Sequence, residues 1–516
     1  MAAKKKAEAK KAPAKKKAAK KATADNLFNP YATLDDALTK METKFDLDTM
    51  TIDKDEPRFS TGLLSLNLLL AGGLLGGGWY TFFGGEQSCK STTAMTVLSS
   101  IMIQKEFIGQ AAYFDYEGSS QAEYIENIMG YMGSKDNIER VFGVKDDDTG
   151  DWIVPARVRY YQPSNGEAFF NFMAKIEKEL PDKVRLKDQW YYIYDGSKQE
   201  LQKMAKQAAK AGVEYDKAYM KKHGKLKLPA SDGSVQYILL CDSYPAMLPK
   251  RSEEKDEGDA SLASQARMFS DGIKRVKSTM RKKRIVVLGV NQLRKVPMAM
   301  FGPTETEPCG EALRFFSDVR IRNTSVSLST AGVKGKGALQ TEESVVTDGE
   351  DTYRFIKVYS YKNKLGGIPN QSTILRLCVE DAEGTAKGFC RTWDLWKYLK
   401  MTGQVTGPMH KLAFPENFTY MDREGEVQTI TLKHPLVGMK LNWMDFKVLV
   451  EGDRSDIKEL CKAIGLKKAV MIRDFFEKQC SSGKGFALMK KYKLADNQGK
   501  RSKAKAKAAE VDDDDD

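Results

Sequence analysis

An α/β fold around a central, mostly parallel sheet is predicted by three features of this sequence. From Trp79 to about Ile321, apolar strands alternate with amphipathic helices, which is the order a parallel sheet requires. Within that region WYTFFGGEQSCKSTT, residues 79–93, reads as a buried strand, a tight glycine turn and a helix start. The strands predicted at Ala111–Tyr116, Tyr237–Asp242 and Arg284–Asn291 close on polar residues, and in such sheets the carboxyl ends of the strands face the ligand crevice. Asp115, Glu117, Asp242, Asn291 and Gln292 all lie at or just past those ends.

Composition bounds the rest. A chain of 516 residues, 41% of them hydrophobic, can fill a large core and make two or three domains. Seven cysteines without a CxxC pair, and only three histidines, make neither a disulfide framework nor a zinc site, so a reducing, cytoplasmic setting is expected. The formal charge of +13 points to a polyanionic partner, nucleic acid or membrane surface, although much of the excess sits in the lysine/alanine tail at 1–22. That lysine-rich start leads into no apolar h-region, so no signal peptide is expected. The uncharged run Ser60–Gly85 is cut by Gly72-Gly73 and Gly76-Gly77-Gly78 into pieces too short to cross about 30 Å of hydrocarbon, so no membrane span is expected.

The stretch 79–93 has the spacing of a phosphate-binding loop: Gly84, four residues, then Cys89-Lys90-Ser91. Phosphates need converging backbone N–H groups, a lysine that reaches the outer phosphates and a hydroxyl for Mg²⁺. Gly84 and Gly85, Lys90 and Ser91 supply these. Cys89 stands where the motif wants glycine; at positive φ a side chain there costs roughly 1–2 kcal/mol. The alternative is a strand, turn and helix that use glycine only for packing.

In chain order, residues 1–28 form a lysine/alanine-rich tail that is disordered by composition. Residues 29–58 carry a small helix, with Leu34, Ala37, Leu38, Met41 and Phe45 at helical spacing, of the kind that often docks on another surface. The core is expected over 59–370, interrupted at about 183–233 by a lysine-rich insertion with WYYIYD and KQELQKMAKQAAKAG. A solvated helical excursion is expected there, with a DNA-binding module as the alternative. A smaller α+β domain follows over 371–495, with a strand near Val427–Leu432 and helices near Asp394–Lys400, Asp456–Ile464 and Val470–Gln479. The end, 496–516, is basic and then acidic and is again disordered by composition.

The strand ends assemble the parts of an ATPase. Asp242, closing YILLCD, is placed to hold Mg²⁺ opposite Ser91. Glu117, after AAYFDY, is placed to orient the attacking water and take its proton. Either carboxylate could merely cap a strand, but both follow Lys90 in the order that the chemistry needs.

The run from Tyr237 to Ile321, with NQLR, MFG and GEALRFF, resembles the bacterial RecA recombinases, as does STGLLSLNLLLAGGL ahead of the loop. The resemblance covers roughly residues 30–182 and 233–370. It implies a RecA-like P-loop ATPase core that hydrolyses ATP with Mg²⁺, filaments on single-stranded DNA and exchanges strands with double-stranded DNA. By it, Gly84, Gly85, Glu86, Gln87, Ser88, Cys89, Lys90, Ser91 and Thr92 would bind ATP, Tyr124 would stack on adenine, and Ser91 and Asp242 would serve the metal. Glu117 would be the catalytic carboxylate, assisted by Lys90, and Asn291-Gln292 would sense the γ-phosphate. Lys362 and Lys364, in SYKNKLGG, would reach a neighbour's ATP across a homo-oligomeric helical filament for which 29–58 is the docking arm. The loops Lys250–Ser264 and Leu293–Cys309 match the family's DNA-binding loops, so that Arg267, Arg294, Met300, Phe301, Gly302 and Gly310 would meet DNA. A hydrophobic flap without a DNA role is the alternative for the second loop.

Three positions depart from the family pattern: Cys89 and Cys309 replace glycines, and Gln121 stands where an aspartate is usual near adenine. Phage-type recombinases resemble this protein in tolerating a bulky residue before the loop lysine, and the three substitutions bear on turnover rate and nucleotide preference more than on binding. A hydrolysis-poor DNA-binding scaffold is the alternative function. A ring helicase core is disfavoured by MFG and GEALRFF.

Overall fold

Alternation in the sequence becomes a ten-stranded sheet with helices on both faces. The computed structural model describes residues 56–493 except 105–106, 108, 133–138, 140, 187–188, 251–260, 296–304, 328–344, 349–350, 381–386, 423–425 and 467–471. The expected helix at 33–45, both tails, and Met300, Phe301 and Gly302 lie outside the described residues.

The first half of the core runs α1 (Leu64–Leu69), β1 (Trp79–Gly84), α2 (Lys90–Met102), β2 (Gln110–Asp115), α3 (Ala122–Met132), β3 (Val158–Tyr161) and α4 (Glu167–Glu179). The insertion follows as β4 (Asp182–Leu186), β5 (Gln189–Tyr194), α5 (Lys198–Lys210), α6 (Lys217–His223) and β6 (Leu226–Ala230). The core resumes with β7 (Tyr237–Asp242), α7 (Ser261–Lys283), β8 (Ile285–Gln292), α8 (Gly310–Phe316) and β9 (Val319–Ser325). It ends in β10 (Val345–Asp348), β11 (Asp351–Asn363), β12 (Gln371–Glu380) and β13 (Gly388–Phe389).

Strand order is β13-β12-β11-β9-β1-β8-β7-β2-β3, with β10 pairing β11. The six strands from β9 to β3 are parallel neighbours, and the β10 to β13 side is antiparallel. Both faces of the parallel part are buried, so its strands read as continuous apolar runs whose alternate residues enter different clusters. Phe82, Ile238, Leu240, Val286 and Leu288 pack with α2 and α3, while Trp79, Tyr237, Leu239, Ile285 and Val287 pack with α4 and α7. β12 extends the sheet beyond residue 370, where the sequence suggested that the core ends, because it pairs with β11 over most of its length.

The insertion departs from the helical excursion expected of it. Its β4, β5 and β6 form a three-stranded antiparallel sheet in the order β6-β5-β4, with WYYIY inside β5. Lysine content suggested helix, but alternate aromatic residues need a pleated surface to pack on, and that preference prevails here. The module is tied to the core where the parallel strands begin: Lys283 pairs with Asp182 at 2.9 Å, and the Arg284 guanidinium lies 5.1 Å from the Trp190 ring centroid.

Beyond β13 come α9 (Arg391–Met401), α10 (Trp443–Glu451), α11 (Arg454–Ala463) and α12 (Ile472–Ser481), around a cluster that includes Trp393, Leu399, Phe446 and Phe476. The buried Asp394 carboxylate accepts from the N–H groups of Leu64 at 2.7 Å and Ser65 at 3.0 Å, satisfying the start of α1. No described helix is long and apolar enough to cross a membrane.

Candidate nucleotide site and DNA-facing loops

Register in the parallel sheet brings the polar strand ends together. Asp242 of β7 stands beside Asp115 of β2, and Gln292 of β8 stands beside Gly84 of β1. The Asn291-Gln292 pair at the end of β8 therefore stands between the phosphate loop, which follows β1, and the two carboxylate-bearing strands β7 and β2.

Gly84 ends β1 where a Cβ would lie 2.2 Å from the Asn323 main-chain oxygen, so only glycine fits. The loop then turns through Glu86 and Gln87, both exposed, and Ser88, whose hydroxyl donates to Gly85 O at 2.8 Å. Gln87 and Cys89 adopt left-handed conformations, with φ of 52° and 55°. Cys89 thus holds the glycine backbone conformation with a side chain in place, directly before α2. Its carbonyl accepts from Asn323 Nδ2 at 3.3 Å and from Thr93 Oγ1 at 2.7 Å, and Arg354 of β11 donates to Gln87 O at 3.3 Å.

Lys90 is buried, and its Nζ donates to Gly85 O at 2.6 Å. Burial lowers its ammonium pKa, and the nearby Asp242 and Glu117 carboxylates offset part of that. Asp242 responds in the opposite sense: burial pushes its carboxyl up to about 7, against the hydrogen bond from Ser91, and Glu117 adds to the rise. Its Oδ1 is buried with no hydrogen-bond partner among the described residues. A buried, unpartnered carboxylate oxygen beside a serine hydroxyl is a pair of hard donors that fits Mg²⁺.

Glu117 accepts from the Ser243 hydroxyl and, at 2.9 Å, from Gln292 Nε2. Asn291 Oδ1 accepts from Gln292 N at 3.0 Å, while Asn291 Nδ2 donates to Glu307 at 3.4 Å. Glu307 also pairs with the buried Arg320, whose guanidinium lies 4.7 Å from the Phe83 ring centroid. A chain of contacts thus runs from Glu117 through Gln292 and Asn291 to the segment on which the second loop ends.

Tyr124 is half-buried, with its hydroxyl 2.8 Å from Thr92 Oγ1, and Gln121 is exposed just before α3. Lys362 and Lys364 do not join this cluster in any described contact. Lys362 Nζ donates to the main-chain oxygens of Arg314 at 2.6 Å and Phe315 at 2.9 Å, at the carboxyl end of α8. Burial, with Lys364 and Arg320 nearby, pushes its ammonium down to about 8. Lys364 is exposed.

Residues at the base of the two loops converge. A Cβ on Gly310, at φ 76°, would lie 2.8 Å from Ala266 Cβ, next to the exposed Arg267 on α7. Cys309 precedes it, buried and at φ 72°. Arg294 is exposed and pairs in register with Thr306, so the second loop leaves and returns through one short ladder.

Asn323, Arg354, Ser243 and Glu307 were not singled out in the sequence. Asn323 is a fully buried amide in the otherwise apolar and basic strand VRIRN, and its burial follows from sheet order rather than from a local signal.

A family model described as the RecA N-terminal domain matches residues 225–346, which hold β7, α7, β8, α8 and β9. Over these residues the chain is similar to the RecA family. It is 27% identical over 236 residues to Protein RecA of Aquifex pyrophilus, covering 45% of this chain and 61% of the relative. It is 30% identical over 166 residues to Protein RecA of Aquifex aeolicus, covering 31% and 44%. Against Protein RecA of Lactiplantibacillus pentosus it is 25% identical over 296 residues, covering 56% and 57%. The chain thus spans only about half the length of these relatives.

Proposed function

We propose that this protein is an ATP-dependent DNA recombinase that forms filaments on single-stranded DNA and promotes homologous pairing and strand exchange. The observation that carries this reading is the contact chain from Glu117 through Gln292 and Asn291 to Glu307, which joins the candidate catalytic carboxylate to the root of a candidate DNA loop. Similarity to the RecA family supports it.

In this reading the loop amides and Lys90 take the β- and γ-phosphates of ATP. Ser91 and Asp242 would hold Mg²⁺, which when bound neutralises charge on those phosphates. Glu117 orients water for in-line attack at the γ-phosphorus and accepts its proton, which a carboxylate at hydrogen-bond distance can do. Gln292 changes partner according to whether a γ-phosphate is there, and Asn291 and Glu307 pass that change to the loop spanning 293–309. Lys362 and Lys364 exchange their intrachain setting for the ATP of the next subunit, so hydrolysis depends on assembly.

The test is a joint-molecule assay with circular single-stranded DNA, linear duplex, ATP and Mg²⁺. Joint molecules with homologous duplex and none with heterologous duplex are expected; equal yields from both would overturn the recombinase reading. A hydrolysis-poor DNA scaffold is the second reading, favoured by the side chain at left-handed Cys89. It would bind DNA and ATP without single-stranded DNA raising turnover.

A further inference from the structure

The insertion carries a feature that the strand-end chemistry does not use. Helix α5 buries Leu201 and Ala205 against Leu226 of β6 and leaves Lys203, Lys206 and Lys210 exposed. At 100° per residue these three fall within one narrow stripe, spread over about 10 Å of helix axis. A surface lysine on a helix can pair with a carboxylate three or four residues away. Here the one acid on α5, Glu200, is held by the capping box with Ser197. None of Lys203, Lys206 and Lys210 has an ion pair among the described residues, and neither do the exposed Lys221 and Lys222 near the end of α6. Three lysines of the module differ: Lys183, Lys225 and Lys227 pair with Asp232, Asp195 and Asp216.

Position separates this face from the strand-end site. The module joins the core where β7 begins at Tyr237, whereas Asp242 lies at the other end of that strand, roughly 17 Å away. The loops around Arg267, Arg294 and Gly310 belong to the Asp242 end.

We propose that this lysine face is a second nucleic-acid site, one that binds double-stranded DNA through its phosphates. Single strands are held largely by stacking of bases on aromatic side chains. No aromatic residue of the module is exposed among the described residues; Tyr191, Tyr192 and Tyr194 are half-buried, with Lys227 4.7 Å from Tyr219 and 5.0 Å from Tyr191. What the face offers instead is lysine with the exposed amides of Gln199, Gln202 and Gln207, the groups that contact phosphate and sugar without reading sequence. A rigid stripe of cations suits a duplex backbone, whose phosphates are fixed in space. The role as a store of duplex for pairing rests on the recombinase reading; the binding itself does not.

The experiment is fluorescence anisotropy of the full chain with a labelled duplex, and with a single strand of the same sequence, over a salt titration without nucleotide. In the triple variant Lys203→Gln, Lys206→Gln, Lys210→Gln, duplex affinity is expected to fall at least about tenfold and the salt slope by about 2 to 3, as for three lost phosphate contacts. Glutamine is as good a helix former as lysine, and Lys206→Glu alone, a single exposed change, serves as the second variant, expected to weaken duplex binding in the same direction. Wild-type duplex affinity and slope in both variants would overturn the proposal, and so would an equal loss for the single strand. Single-stranded-DNA stimulation of ATP turnover is read in parallel. Its absence from the wild type sinks the recombinase reading and leaves the duplex result standing by itself.

Discussion

Gln292 Nε2 donates to Glu117 Oε1 at 2.9 Å across 175 residues of sequence. β7 separates β8 from β2 in the sheet, Asp242 is level with Asp115 and with Val290, and both Glu117 and Gln292 lie two residues past that level, so the two meet beyond the end of β7. Glu117 and Lys90 therefore make separable contributions. Lys90→Ala is expected to abolish ATP binding, because the loop amides alone cannot offset the phosphate charge that the ammonium neutralises. Glu117→Gln is expected to keep nucleotide affinity and lose about a hundredfold or more in turnover, as an amide of the same size cannot take a proton. Nucleotide binding by fluorescence titration separates the two; equal loss in both would make Glu117 a structural carboxylate.

Cys89 carries a side chain at φ 55°. Replacing it with glycine removes an unfavourable conformation worth roughly 1–2 kcal/mol, so Cys89→Gly is expected to turn over ATP faster than the wild type. Burial raises the thiol's pKa above its ordinary value, so alkylation at neutral pH should be slow, and once complete it should block nucleotide. A flat turnover rate in the glycine variant would show that the loop has adapted to cysteine.

Gly289 of β8 lies under Tyr244, where a Cβ would come 1.8 Å from the phenolic oxygen. That oxygen already accepts from Trp79 Nε1 at 2.8 Å, so the ring is pinned and cannot step aside. Gly289→Ala is expected to cost about 1–3 kcal/mol through overpacking. Urea denaturation measures it, and an unchanged midpoint would mean that the ring is free to move.

His434 is packed among Phe414 and Phe476, and burial holds its imidazole down at about 4, from an ordinary 6.5. The unfolded chain takes up a proton as pH falls through 6.5, and the folded chain only near 4. Its contribution is therefore intact above 6.5 and lost progressively toward 4, by up to about 3 kcal/mol. Stability measured across that window should fall less steeply in His434→Met. An identical slope would place the acid sensitivity elsewhere.

Much of the parallel core was legible because its signals are local. Apolar runs of strand length, and the spacing from Gly84 to Ser91, need no knowledge of which strands pair. The left-handed backbone at Cys89 could be anticipated from motif position alone. The supports of the site were not legible, since Asn323 and Arg354 reach the loop from β9 and β11, more than 200 residues along the chain, and only sheet order brings them there. The insertion was misjudged for a related reason. Lysine density dominated its composition, whereas β5 is fixed by pairing with β4 on one side and β6 on the other.

ATP turnover of the wild-type chain, measured with and without single-stranded DNA and beside Glu117→Gln, tests most directly whether strand-end chemistry is coupled to DNA. The expected result is slow basal turnover that single-stranded DNA raises strongly in the wild type and leaves flat in Glu117→Gln. Turnover that ignores single-stranded DNA, or that persists in Glu117→Gln, would contradict it.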